Sequence, residues 1–399
     1  MSLPLAFNRM EFAGSLGDLG TLLPLAIGMI MVNGLDPAGL FLSVGLFYIF
    51  TGLYFGITTP VQPMKVIGAY AIATAMTPQQ IMASGLLMAA CLLIAGITGA
   101  ITLIGKYTPK AAVRGVQLST GALLMAEGVK FMIGKTRLQA LHHMAEPYLS
   151  LQHLGPLPAG LLIGILGALL TLILLDNKKT PAGLVIVGVG ILLGLLLGTR
   201  QGLGAIRPGF YLPHILPLGF PRGADFAFAL LALVVPQMPM TLGNAVIADM
   251  DLSVNYFGDD ARRVTGKALC ISMALGNLLS ALFGGMPICH GAGGLAAHYR
   301  FGARSAGSNL MIGGLFVLFT LILGHRILVI FNLIPMAILG VLLLFAGCQL
   351  ALTILDVKDR KDLFVVVTIL GITLASNLAA GFVAGIVVAC LLRFGKLSV

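Results

Sequence analysis

Two stretches decide how this chain is read: Thr59-Pro60-Val61-Gln62-Pro63-Met64-Lys65 and Gly285-Met286-Pro287-Ile288-Cys289-His290-Gly291-Ala292-Gly293-Gly294. Both lie between long apolar runs. Proline lacks an N–H and pushes the residue before it toward extended backbone. A short extended stretch followed by a short helix is therefore expected in each place. Extended backbone at membrane depth survives only where protein or a water-filled cavity satisfies its polar groups. A helix beginning there exposes N–H groups without partners and about half a positive charge. Two such ends facing each other make a cradle for an anion without any side chain. The glycines at 291, 293 and 294 are expected to let a ligand approach the backbone.

Around these stretches the chain is apolar enough to require a bilayer. Its 399 residues are 58% hydrophobic and 10% charged, with a mean hydropathy of +1.02. A soluble domain carries about 25% charged residues. The runs Leu161 to Leu175 and Leu184 to Leu197 are continuous rather than alternating, which indicates spanning helices and excludes barrel strands. The fold class is thus an all-α polytopic membrane protein. Fourteen spans are expected, near 11–32, 38–57, 63–77, 79–105, 111–133, 158–175, 182–198, 225–248, 266–284, 287–299, 308–323, 327–347, 363–376 and 378–393. The third and tenth are the short ones. No cleavable signal peptide and no soluble regulatory domain are expected. The five cysteines all fall in apolar segments without a C-x-x-C pair and are read as small hydrophobes.

With the N-terminus inside, 16 of the 24 basic residues fall in inside loops and 7 outside, Lys65 being the one within the membrane region. That bias supports cytoplasmic termini, in a cell's plasma or inner membrane, and explains the net charge of +10 without nucleic acid as partner. The halves echo each other. The first span carries Gly17-Asp18-Leu19-Gly20-Thr21 and Pro24, and the eighth carries Pro236-Gln237-Met238-Pro239-Met240-Thr241 and Asn244. Two spans later each half has its Pro-led element. Seven spans per half predicts an inverted repeat, over 1–200 and 222–399, with a site at the midplane, as in secondary transporters.

The candidate binding residues cluster in these segments. Lys65 in an apolar region costs about 2.5 kcal/mol or more on insertion scales. It calls for an anionic substrate, a pairing with Asp18, or an escape toward the cytoplasm. Asp18 and Thr21 are expected to line the site, Asp18 also being a candidate proton group or a cap for a break in the first span. Gln62, Pro63 and Met64 lead into the third span, and Cys289, His290, Gly291, Ala292 and Gly293 into the tenth. Gln237, Thr241 and Asn244 share a face at i, i+4, i+7 and could bond a substrate or join helices. Glu127 and Lys130 read as a structural i, i+3 pair. One Cys beside one His is no metal site, and no cofactor is called for.

The same segments resemble a known family. Pro60-Val61-Gln62-Pro63-Met64-Lys65, and Met286-Pro287-Ile288-Cys289-His290-Gly291-Ala292-Gly293-Gly294-Leu295-Ala296 with Tyr299 and Phe301-Gly302-Ala303-Arg304, are similar to the two signatures of the molybdate transporter family, a relative of the sulfate permeases. The segments at 17–21 and 236–248 resemble it too. The resemblance implies fourteen spans as a 7+7 inverted repeat with core and gate domains, and an oxyanion held between half-helices three and ten. It also implies an elevator-like motion and often a homodimer. Thr58 stands where that pattern has proline and His298 where it has glutamine. Molybdate is the leading substrate, with tungstate and sulfate of the same charge and shape. A nucleobase carrier fits Lys65 poorly, an anion channel would not saturate, and an intramembrane enzyme lacks a set of catalytic roles.

Overall fold

The structure is a computed structural model that describes residues 5–99, 109–175, 177, 181–199, 203–205 and 208–394. The end of the apolar run 79–105, from residue 100 on, lies outside the described residues, as does residue 200 at the limit of the first repeat. The first helices are α1 (Arg9–Ser15), α2 (Leu19–Asn33) and α3 (Pro37–Phe55). Then come β1 (Gln62–Pro63), α4 (Lys65–Thr74), α5 (Pro78–Thr98), α6 (Lys110–Met132) and α7 (Arg137–His142). A small hairpin, β2 (His153–Leu154) and β3 (Leu157–Pro158), precedes α8 (Ala159–Leu174) and α9 (Ala182–Leu197). The second half has α10 (Gly223–Arg263), α11 (Gly266–Leu282), β4 (Ile288–Cys289), α12 (Ala292–Phe301) and α13 (Ala306–Leu323). It ends with α14 (Ile327–Phe331), α15 (Met336–Ala351), α16 (Arg360–Ala375) and α17 (Leu378–Phe394).

Among the described residues, five helices are long and apolar enough to cross a membrane, or six if the bent pair α1 and α2 counts as one. Five more apolar helices are 10 to 17 residues long. Three expected boundaries change. The first span is two helices bent by 42° at a break around Leu16, Gly17 and Asp18. The eighth is a helix of 41 residues, not 24, because nothing between Asp249 and Phe257 breaks it; it contains π-helical turns at Leu230–Val234 and Thr241–Ala248. The run 327–347 divides at Pro335, whose ring lacks the N–H a continuing helix needs and which instead starts α15.

The helices form two packed bodies. In one, α3 packs on α13 and α11 on α5, with α1 against α12. In the other, α6 is the hub, in contact with α15, α16 and α17, and α8 lies against α15. The seam runs where α4 meets α6 and α2 meets α9 and α15. Small residues allow the tightest crossings. A Cβ at Gly128 would fall 2.6 Å from the Gly340 carbonyl oxygen, and one at Gly340 2.5 Å from that of Gly128, so α6 and α15 touch backbone to backbone, as small-residue interfaces in membranes do. Glu146 joins the loop after α7 to the start of α15, accepting from the N–H groups of Met336 and Ala337 at 2.7 and 2.8 Å. The expected Glu127–Lys130 pair is present at 3.1 Å.

Candidate functional site

The site begins with backbone. β1 and β4 pair antiparallel, Gln62 opposite Cys289 and Pro63 opposite Ile288. The Met64 N–H extends the ladder to the Pro287 carbonyl at 2.8 Å. The two Pro-led stretches thus satisfy each other in the interior. Side chains complete the work that water would do elsewhere. Asn277 of α11 donates to the Ile288 carbonyl at 2.7 Å and accepts its N–H at 3.0 Å. Asn309 of α13 does the same for Thr59, donating to its carbonyl at 2.8 Å and accepting its N–H at 3.0 Å. Each asparagine amide imitates a neighbouring strand.

His290 belongs to this support. It is fully buried, stacked on Phe47 at 4.9 Å between ring centroids. Its Nδ1 lies 2.8 Å from the Pro60 carbonyl and its Nε2 2.9 Å from the Ser272 hydroxyl. A carbonyl only accepts, so Nδ1 carries a proton. With both nitrogens engaged, the ring holds one extended stretch against the other. The Cys289 thiol likewise turns to the Pro63 carbonyl, at 3.7 Å.

Each strand feeds a ten-residue helix, α4 and α12, and their N-terminal ends differ. At α4 the N–H groups of Val66 and Ile67 donate to Gln237 Oε1 at 3.0 and 3.2 Å. Gln237 Nε2 donates in turn to Thr241 Oγ1 at 2.9 Å. The amide oxygen of α10 therefore sits where an anion was expected at this end. At α12 the Gly291 carbonyl accepts from Gly294 and Leu295, and no hydrogen bond is found for the N–H groups of Ala292 and Gly293 among the described residues. The cradle is open on the α12 side and capped on the α4 side.

The glycines have different tasks from those expected. A Cβ at Gly291 would meet Gln62 Oε1 at 1.9 Å, and one at Gly294 would meet Asp18 Oδ2 at 2.6 Å. These two make room for protein side chains. Only Gly293 faces the opening, its Cβ position lying 4.0 Å from Lys65 Nζ. Asp18 stands at the break before α2 but makes no cap; Gln62 Nε2 donates to its Oδ1 at 2.5 Å. Asp18 Oδ2 and Gln62 Oε1 are buried without partners. Lys65 forms no ion pair with Asp18 or any other acid among the described residues.

A cavity of about 520 Å³ opens beside these groups, at the seam between the two bodies. Of the expected residues, Thr21, Gln62, Lys65, Asn244 and Gly293 line it. Asp18, Gln237, Thr241, Gly291 and Ala292 stand directly behind, and Pro63, Met64, Cys289 and His290 form the paired strands and their support. Asn244 leaves the Gln237–Thr241 face because the π-turn at Thr241–Ala248 rotates the helix surface. The lining also includes residues the sequence did not single out as site residues: Arg114, Gln117 and Thr353 from the α6 body, and Arg300 of α12. α6 begins at Lys110, which puts Arg114 one turn inside the helix.

Comparison with known proteins agrees with this construction. The family described as “Molybdate transporter of MFS superfamily” matches residues 10–124 and 229–350. Molybdate transporter 2 of Arabidopsis thaliana is 33% identical over 421 residues, covering 97% of this chain and 88% of that one. Molybdate transporter 1 of Chlamydomonas reinhardtii is 30% identical over 471 residues, covering 94% and 90%. Among solved structures, the murine Solute Carrier 26 family member A9 anion transporter in the inward-facing state superposes with a TM-score of 0.68 at 14% identity, over 98% of this chain and 69% of that one. The transmembrane domain of the cyanobacterial bicarbonate transporter BicA gives 0.64 at 17% identity, over 97% of both. With its signatures folded into paired strands and short helices, and with relatives along nearly its whole length, this chain is an integral membrane protein belonging to the molybdate transporter family.

Proposed function

We propose that the protein is a secondary transporter of a tetrahedral oxyanion, with molybdate the leading substrate and sulfate the alternative. The carrying observation is Lys65: an ammonium on the cavity wall, without an acidic partner among the described residues, beside the open N-terminal end of α12. A dianion there receives the Lys65 charge, the N–H groups of Ala292 and Gly293, and the helix field. Thr21 and Gln62 supply further donors. Asp18 orients Gln62 from behind.

Fourteen crossings arise if the short helices and the bent pair count as spans, arranged as inverted repeats over 1–200 and 222–399. The body built on α3, α5, α11 and α13 then serves as the moving core and the body around α6 as the fixed gate. An elevator-like slide carries Lys65 and α12 past α6. The cavity reaches Arg114, Asn177 and Thr353, on the side where the charge bias places the cytoplasm, so this is the inward-open form. Lipid surrounds the assembly, and a homodimer through the gate is compatible with it.

Uptake of radiolabelled molybdate into proteoliposomes tests the reading. Saturable uptake is expected, competed by tungstate and, more weakly, by sulfate. Failure of molybdate both to enter and to compete would remove it as substrate. Sulfate uptake that molybdate does not inhibit would transfer the assignment to sulfate.

A further inference from the structure

We propose that Arg114 and Gln117 of α6, with Asn244 of α10, form a second oxyanion station in the cavity, separate from the Lys65 site and nearer its mouth. The proposal rests on the oxyanion reading above. Arg114 is held in one orientation: Nε donates to Asp356 Oδ1 at 2.8 Å, Nη2 to Asp356 Oδ2 at 2.5 Å, and Nη1 to Gln117 Oε1 at 2.7 Å. A guanidinium has five N–H groups, so two remain for a ligand. Gln117 is buried, and its Oε1 also accepts from the Thr353 hydroxyl at 3.0 Å. Its amide oxygen is thereby committed, and its NH₂ is left as a donor. Arg114, Gln117 and Asn244 line both the 520 Å³ cavity and an adjoining one of about 250 Å³ between α6 and the π-turn of α10. The donors thus converge on open space.

Charge and topology favour this station over a purely structural pair. Lys110 also reaches Asp356, at 2.9 Å. Two cations against one carboxylate leave net positive charge at the mouth. A fixed planar fork is the donor geometry that matches an oxyanion. Arg114 and Asp356 both belong to the α6 body, so their bond does not latch the two bodies together. Asn244 comes from the other body, so an anion held here touches both walls of the seam before or after its stay at Lys65.

Equilibrium binding of radiolabelled molybdate to the full-length protein in detergent separates the alternatives, using wild type, Lys65→Ala, Arg114→Gln and Asp356→Asn. Two components are expected, the tighter removed by K65A and the weaker by R114Q. D356N frees the guanidinium and tightens the weaker component roughly three- to tenfold, the scale of one net hydrogen bond. R114Q and D356N therefore act in opposite directions. A pair that merely holds α6 to the end of α15 predicts the same direction for both, and that result overturns the station. Arg114→Lys guards against misfolding, because it keeps the charge and loses the fork; it should weaken the second component without abolishing it. A single K65A-sensitive component, unchanged in R114Q, overturns the station alone. No binding in any variant overturns the oxyanion reading and the station with it.

Discussion

At the scale of single residues, neighbouring glycines of one signature can be told apart by experiment. Gly294→Ala places a methyl 2.6 Å from Asp18 Oδ2 and 2.7 Å from Pro60 Cβ. Overpacking of this kind costs about 1–3 kcal/mol, so a clear fall in melting temperature in detergent is expected together with lost binding. Gly293→Ala meets no heavy atom closer than Lys65 Nζ at 4.0 Å. Its melting temperature should match wild type while molybdate affinity falls, because the methyl covers backbone the anion approaches. Normal binding by G294A, or a destabilised G293A, would contradict the assignment. The two departures from the family pattern also find a reason here. Thr58 Oγ1 lies 2.8 Å from His298 Nδ1, and Ser308 donates to the same hydroxyl at 2.8 Å. The two unexpected residues meet in the buried interior, and neither lines the cavity.

At the scale of elements, the two short helices differ in what closes their N-termini. Gln237→Glu exchanges the amide cap on α4 for a carboxylate. An acid at a helix N-terminus contributes about 0.3–1 kcal/mol, yet this one stands directly behind the cavity lining, where its charge would repel an anion. Raised thermal stability with weakened molybdate binding is the expected combination. Gln237→Leu instead leaves the Val66 and Ile67 N–H groups without partners, at about 1–3 kcal/mol, and should lower the melting temperature. If both substitutions leave stability unchanged, the cap is unimportant. The positions of these elements were legible in the sequence, because proline and glycine act locally. The Pro-led stretches became strand-then-helix, and nine of the predicted site residues are gathered at those junctions. What could not be read depends on partners distant in sequence. Gln237 as the cap on α4, His290 as a prop for Pro60, and Asn277 and Asn309 as substitute strands are contacts across 11 to 250 positions. α10 runs past the expected end at 248 because helix continuation through Asp249 and Asp251 needs only the absence of a breaker.

At the scale of the whole molecule, most of the apolar mass is scaffold around one polar-lined cavity at the seam. The body carrying α4 and α12 presents Lys65, Gly293 and Asn244, and the body around α6 presents Arg114 and Gln117. Charge lies on both faces of the seam. Arg114 was invisible as a site residue because its position relative to the cavity is set by how the two bodies dock, which no local pattern records. On the proposed function, the oxyanion rests between Lys65 and the open end of α12. Crystals grown with tungstate, whose heavy atom scatters anomalously, test it most directly. The expected result is a peak with oxygens within about 3 Å of Lys65 Nζ and the Gly293 N–H, lost in K65A. A peak on the Gln237–Thr241 face, or one at Lys65 that survives K65A, would contradict it.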